Sequence, residues 1–249
     1  MYLLAQMQTQ EDRGACGAVL DAYLEEQGGE HLAARLAQAV ILQAGAQGKK
    51  LPLALHETAR ELQSVCYVKS HFTEQAVNTL EKEISVFYAD SFEDACEQVI
   101  DRRRDGCLLP YMGKDRLPLP GIARLIDEYG FKKCRMIEIE NEEQSTVYLL
   151  LSSILRPDKN ADRMELMICA DRQERLWQTL RLARSLGICM NFPASLRASS
   201  EIPQKDEPLF CRVTLQGARE ALLHVEAVMA LCLPESEVTG FYARRYIGG

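Results

Sequence analysis

Apolar positions along this chain switch between two periods, and the switches divide it into segments. Residues 1–63 follow a helical period. Residues 15–27 carry Ala18, Val19, Leu20, Ala22, Tyr23 and Leu24, and Gly28 and Gly29 then interrupt. Residues 30–46 carry a stripe of Leu32, Leu36, Val40 and Ile41, and residues 51–62 allow a third helix with Glu57 and Arg60 outward. Three helices so spaced predict a hairpin or small bundle.

From residue 64 the pattern alternates between strand and helix. Val65, Cys66, Tyr67 and Val68 predict a first strand, with a helix opening at His71. A strand over 84–88, a helix over 91–105 and a strand over 106–111 come next, an order that implies a parallel sheet with crossover helices. The helix over 91–105 has Ser91 as N-cap and Glu93 and Asp94 in its first turn, where carboxylates suit the helix dipole. Phe92, Ala95, Cys96, Val99 and Ile100 make its apolar face; Arg102–Arg104 and Gly106 are its expected close. The residues after Pro110 lie at a strand's C-terminal end, where open α/β sheets place ligands. A helix over 121–129 precedes a strand over 131–139, in which Cys134, Met136 and Ile137 alternate with charges as in a half-exposed strand. Asn141, Glu142, Glu143 and Gln144 form a polar turn before the β-prone run 145–154.

Arg156, Pro157, Asp158, Lys159 and Asn160 make a charged linker. Beyond it the pattern predicts strands over 164–170, 187–197, 208–215 and 238–245, with helices over 172–186 and 218–231. That βαββαβ order is ferredoxin-like.

Composition narrows the classes. The 249 residues are 47% hydrophobic and 26% charged, as in a globular protein. The net charge of −7 argues against nucleic acid and anionic membranes as partners. No run reaches the ~20 apolar residues of a membrane span, and the N-terminus lacks a basic segment followed by an apolar one, so no signal peptide is expected. Nine cysteines without a C-x-x-C pair read as buried thiols of a reducing cytoplasm. Together with four separated histidines they suggest no metal site. No cofactor is implied.

Several segments resemble the prephenate dehydratases. "SFEDACEQVI" followed by "DGCLLPY" is similar to the family's helix and its D-Y-G-V-L-P strand, with Met112, Gly113 and Lys114 where the family has Glu-Asn-Ser. His71-Phe72-Thr73-Glu74-Gln75-Ala76 resembles the opening G-T-F-T/S-E-x-A, with Ser70-His71 replacing Gly-Thr. Ser145–Ile154 resembles the signature N-x-T-R-F-x-x-I. Thr146 matches the catalytic threonine, while Gln144, Val147 and Tyr148 stand for Asn, Arg and Phe. "ADRQERLWQTLRLARSLGICM", "VTLQGAREALLHVEAV" and "TGFYAR" resemble the ACT domain that follows the catalytic region. Lys49, Lys50, Arg60 and Glu61 are similar to the charged positions of a chorismate mutase-like helical region.

The resemblance implies an α/β and α+β architecture: N-terminal helices over 1–63, one periplasmic-binding-protein-like α/β lobe over 64–155, and an ACT-like regulatory domain over 156–249. It implies Thr146 as the catalytic residue and Ser70, His71, Thr73 and Lys114 as substrate-binding residues. Asp171, Arg175, Leu176, Ser195 and Arg197 are the implied effector site. His71 is open to reading as a ligand group or as a turn residue. Since prephenate carries two carboxylates, valine at the arginine position removes a suited partner. The expected function is therefore a prephenate dehydratase-like protein of L-phenylalanine biosynthesis with degraded catalysis and a regulatory or binding role. The alternatives are an active lyase forming phenylpyruvate, water and CO2, and an ACT-type amino-acid sensor. The expected partners are a small carboxylate or amino acid and a second copy of the chain paired through the ACT module.

Overall fold

The computed structural model describes residues 61–80, 84–140, 145–170, 183–184, 188–191, 209–232 and 235–248. The helices expected within 1–60, most of the helix expected over 172–186 and the segment 192–208 lie outside the described residues. The described chain forms two compact units, one of Thr58–Ala161 with Thr239–Gly249 and one within Asp162–Val238.

In the first unit, β1 (Ser64–Val68) lies between β2 (Ser85–Ala89) and β3 (Gly106–Met112), parallel to both. Helix α1 (His71–Asn78) joins β1 to β2, and α2 (Phe92–Ile100) joins β2 to β3. Helix α3 (Pro120–Glu128) leads to β4 (Lys132–Glu140). β5 (Ser145–Ser152) then inserts antiparallel between β3 and β4. The order is β2-β1-β3-β5-β4, so β4 runs in the direction of β1, β2 and β3. β10 (Arg244–Gly248) pairs in parallel with Met136–Glu140. Gly240 of β9 (Glu237–Tyr242) pairs with Lys133. The single strand expected over 238–245 is thus two. They part at Ala243, whose carbonyl accepts the Met136 N–H at 3.1 Å.

The pleat sends alternate side chains into two cores. Cys66, Cys107, Leu109, Leu149 and Leu151 face α2 and α3, meeting Ala95, Cys96, Val99, Ile122 and Ile126. Val65, Tyr67, Leu108, Ile137, Tyr148 and Leu150 face α1, meeting Ala76, Val77 and Leu80. Each fully buried leucine of β5 contributes about 1.5–3 kcal/mol.

Three expectations change here. Ile100, placed on the apolar face of its helix, is exposed. The helix stops at Ile100, and Arg102 takes the left-handed conformation at φ 59. Gly106 is no cap but the buried first residue of β3, where an added Cβ would sit 2.5 Å from the Leu151 carbonyl oxygen. Lastly, β4 is covered on both faces: Lys133 and Glu138 are buried although their charges suggested a half-exposed strand.

Asp105, just before Gly106, ties the starts of β1 and β3 together. Its carboxylate accepts the N–H groups of Gln63 and Ser64 and the Ser64 hydroxyl at 3.0–3.1 Å. Arg156 reaches it at 3.2 Å. The buried Ser152 hydroxyl donates to the Asp105 carbonyl at 2.7 Å. Burial alone would raise the Asp105 pKa, but the donors from Gln63 and Ser64 and the Arg156 charge outweigh it and hold the carboxyl below its ordinary value.

In the second unit, β6 (Arg163–Ala170) pairs antiparallel with β8 (Leu209–Gln216), and β8 with β7 (Cys189–Asn191). Met164, Leu166 and Ile168 are buried beside Leu215, Val213 and Cys211. Helix α4 (Arg219–Cys232) buries Leu222, Val225 and Met229 and packs on β6. Ser236, at the entry to β9, bonds the Cys169 N–H at 3.0 Å and so sets that entry beside the end of β6. Among the described residues, Cys66, Cys96, Cys107, Cys134 and Cys211 are buried, whereas Cys189 is exposed. Among the described residues, no helix is long and apolar enough to cross a membrane.

Gly106→Ala is expected to destabilise the fold by about 1–3 kcal/mol through overpacking against backbone, read by urea unfolding. Asp105 has a lowered folded pKa, so its contribution is present above the unfolded carboxylate value of about 3.9 and is lost as pH falls through the folded one. Asp105→Asn should cost about 1–2 kcal/mol at neutral pH, discounted for partial exposure. The gap to the parent should shrink as pH drops below about 4, measured by denaturant titration at several pH values.

Candidate functional site

The C-terminal ends of β1, β3 and β4 and the start of the antiparallel β5 share one edge of the sheet. The register fixes this: Tyr67 is level with Leu108, Pro110 with Tyr148, Ile139 with Thr146 and Glu138 with Val147. Side chains leaving this edge can converge, as they do in α/β sheets generally.

On the α1 side the edge carries hydroxyls. Ser70 follows β1 and caps α1, accepting the Thr73 N–H at 3.2 Å. Its φ of −151 is extended backbone, which needs no glycine. The Ser70 and Thr73 hydroxyls lie 2.5 Å apart, and Thr73 is buried. Both lie near enough to the Tyr148 phenol to act on its ionisation. Burial pushes that phenol above its ordinary range, and the two hydroxyls partly counter the rise. Thr146 is half-buried two residues before Tyr148, so the pleat puts it on the same face.

On the α2–α3 side the edge carries charge. Glu138 is fully buried. Its Oε1 faces the Arg116 guanidinium at 3.1 Å, and its Oε2 is ion-paired with Arg244. Arg116 also approaches Glu140 at 4.0 Å, and the Tyr246 hydroxyl donates to Glu140 at 2.5 Å. That bond to a carboxylate pushes the Tyr246 pKa up. Arg116 sits in the turn after β3 at φ 58, with its N–H bonded to the Gly113 carbonyl at 2.9 Å. Arg244 and Tyr246 come from β10, next to β4.

The expected residues fare unevenly. Ser70 and Thr73 meet, and Thr146 shares their face of the sheet. His71 is the first residue of α1. Lys114 is exposed on the turn after β3; the cation of that turn that reaches the sheet is Arg116. Asp171, Arg175, Leu176, Ser195 and Arg197 lie outside the described residues, as do Lys49, Lys50 and Arg60. Glu61 is ion-paired with Lys159. Sequence reasoning missed Tyr148, Glu138, Arg116 and Arg244. A lone glutamate between Ile137 and Ile139 was the available signal for the charged group.

No protein-family model matches the chain, and no curated relative matches it. Solved structures do. A prephenate dehydratase from Streptococcus mutans superposes with a TM-score of 0.50 at 12% identity, covering 74% of this chain and 99% of its own. A prephenate dehydratase from Arthrobacter aurescens, solved in complex with L-Phe, gives 0.51 at 10% identity, covering 73% and 90%. GqqA, described as a novel type of quorum quenching acylase, gives 0.50 at 15% identity, covering 72% and 94%. At these identities the likeness is one of fold, and that fold holds proteins described by two activities.

Tyr148→Phe should cost about 1 kcal/mol and Ser70→Ala about 0.5–2 kcal/mol. Because both belong to one network, the double variant should cost less than their sum, a difference that a double-mutant cycle of urea unfolding reads directly.

Proposed function

We propose that this is a prephenate dehydratase-like protein of aromatic amino-acid biosynthesis. It holds a small carboxylate or amino acid at the C-terminal edge of its α/β unit, and its catalysis is degraded in favour of a binding or regulatory role. The fold shared with solved prephenate dehydratases supports the first part. The observation that carries the second is Val147: the residue at the family's arginine position is a buried valine, which offers a carboxylate nothing. The hydroxyls of Ser70 and Thr73 are engaged with each other at 2.5 Å, near Tyr148, a tyrosine where the family has phenylalanine. Ser70, His71, Thr73 and Lys114 remain the proposed ligand contacts.

The C-terminal module is proposed as an ACT-like regulatory domain that pairs two copies of the chain, with Asp171, Arg175, Leu176, Ser195 and Arg197 around an effector. Its antiparallel β6, β8 and β7 with α4 agree with a ferredoxin-like order. A cytoplasmic setting fits the buried thiols.

A second reading, an active divergent lyase, is favoured by Thr146, which remains half-buried at the edge. Purified protein incubated with prephenate separates the two. The first reading expects phenylpyruvate to form no faster than in buffer, while an added amino acid raises the melting temperature, as ligand binding to the folded state must. Saturable turnover that Thr146→Ala abolishes would establish the lyase instead.

A further inference from the structure

We propose that Arg116 and Arg244 together form the seat for a ligand carboxylate, replacing the cation that Val147 does not supply. The inference deepens the function proposed above and rests on it.

The argument starts from Glu138. A carboxylate removed from water costs several kcal/mol unless cations meet it. Glu138 is fully buried and draws two guanidiniums, one from the turn after β3 and one from β10. A single arginine can satisfy one carboxylate bidentately. Here two share it, and Oε1 accepts no aligned hydrogen bond among the described residues, so Arg116 meets it as a charge at 3.1 Å rather than as a locked fork.

Each guanidinium has five N–H donors. The Arg116 side chain is 58% exposed and that of Arg244 37%. Both therefore keep part of the side chain toward solvent while Glu138 holds them from beneath, with Glu140 approaching Arg116 at 4.0 Å. Arg116 is also kept at φ 58, a backbone state that costs a non-glycine residue of order 1 kcal/mol and concentrates at functional sites.

Placement selects the ligand. Glu138 is level with Val147 on the neighbouring strand, so the arginines gather on the rung of the valine, at the edge that carries Thr146. Planar forks of fixed charge suit a carboxylate. The seat thus takes one carboxylate of a small organic acid.

Equilibrium titration of the full chain with prephenate, and separately with malonate, tests this. The variants are Arg116→Lys and Arg244→Lys, which keep a charge for Glu138 but lose the fork, together with Arg116→Gln. Arg124→Gln, on the exposed face of α3, is the control. Each seat variant should weaken binding about tenfold to a hundredfold with the melting temperature of the lysine variants near that of the parent, and the control should bind as the parent does. Parent-like affinity in folded seat variants overturns the seat and leaves the proposed function standing. Arginine-dependent binding of malonate without binding of prephenate keeps the seat and, if no amino acid raises the melting temperature, overturns the role in aromatic amino-acid biosynthesis. No saturable binding of either acid by the parent overturns the seat, and if no amino acid raises the melting temperature either, the proposed function falls with it.

Discussion

β5 is hydrogen-bonded along both edges and covered on both faces, and the α/β unit hangs on that placement. An extended segment so enclosed has no water for its backbone groups, so β3 and β4 must supply every partner. Its side chains split between two cores: Leu149 and Leu151 to one, Tyr148 and Leu150 to the other. Shifting its register by one residue would exchange the two sets and turn Tyr148 away from Ser70 and Thr73. The Asp105 carbonyl, bonded by Ser152, and the close approach of Gly106 to Leu151 hold the register at the far end.

That constraint reaches the opposite edge of the sheet. Because β5 is antiparallel, its first residues lie beside the last residues of β1, β3 and β4. Hydroxyls gather on one face of this edge and opposed charges on the other. Glu138 is the costly member, and Arg116 from the turn after β3 and Arg244 from the start of β10 meet it. The same ion pairs that fasten those segments bring two cations beside Val147.

Much of the architecture was legible from the chain. The apolar periods of 64–112 and the Ser91 cap predict the parallel strands and their crossovers, since burial and capping are local consequences of residue type and spacing. The misreadings share one cause. Ile100, Gly106 and Glu138 were judged by residue type along a single element, whereas their environments come from segments distant in sequence. Gly106 answers to the Leu151 carbonyl, and Glu138 to arginines at positions 116 and 244.

The candidate site divides in the same way. Ser70, Thr73 and Thr146 were visible through motif resemblance, and Val147 as a residue that cannot bind an anion. No spacing rule joins Tyr148 to Ser70, or Arg116 to Arg244 through a buried carboxylate. The sequence by itself determined the period of the strands and helices over 64–112, the Ser91 cap and the chemistry that Val147 lacks. Only the tertiary structure decided which edge those elements share and which charges meet there. Pairing between strands far apart in the chain is set by the burial of whole faces and the satisfaction of every enclosed backbone group, conditions that no single segment carries.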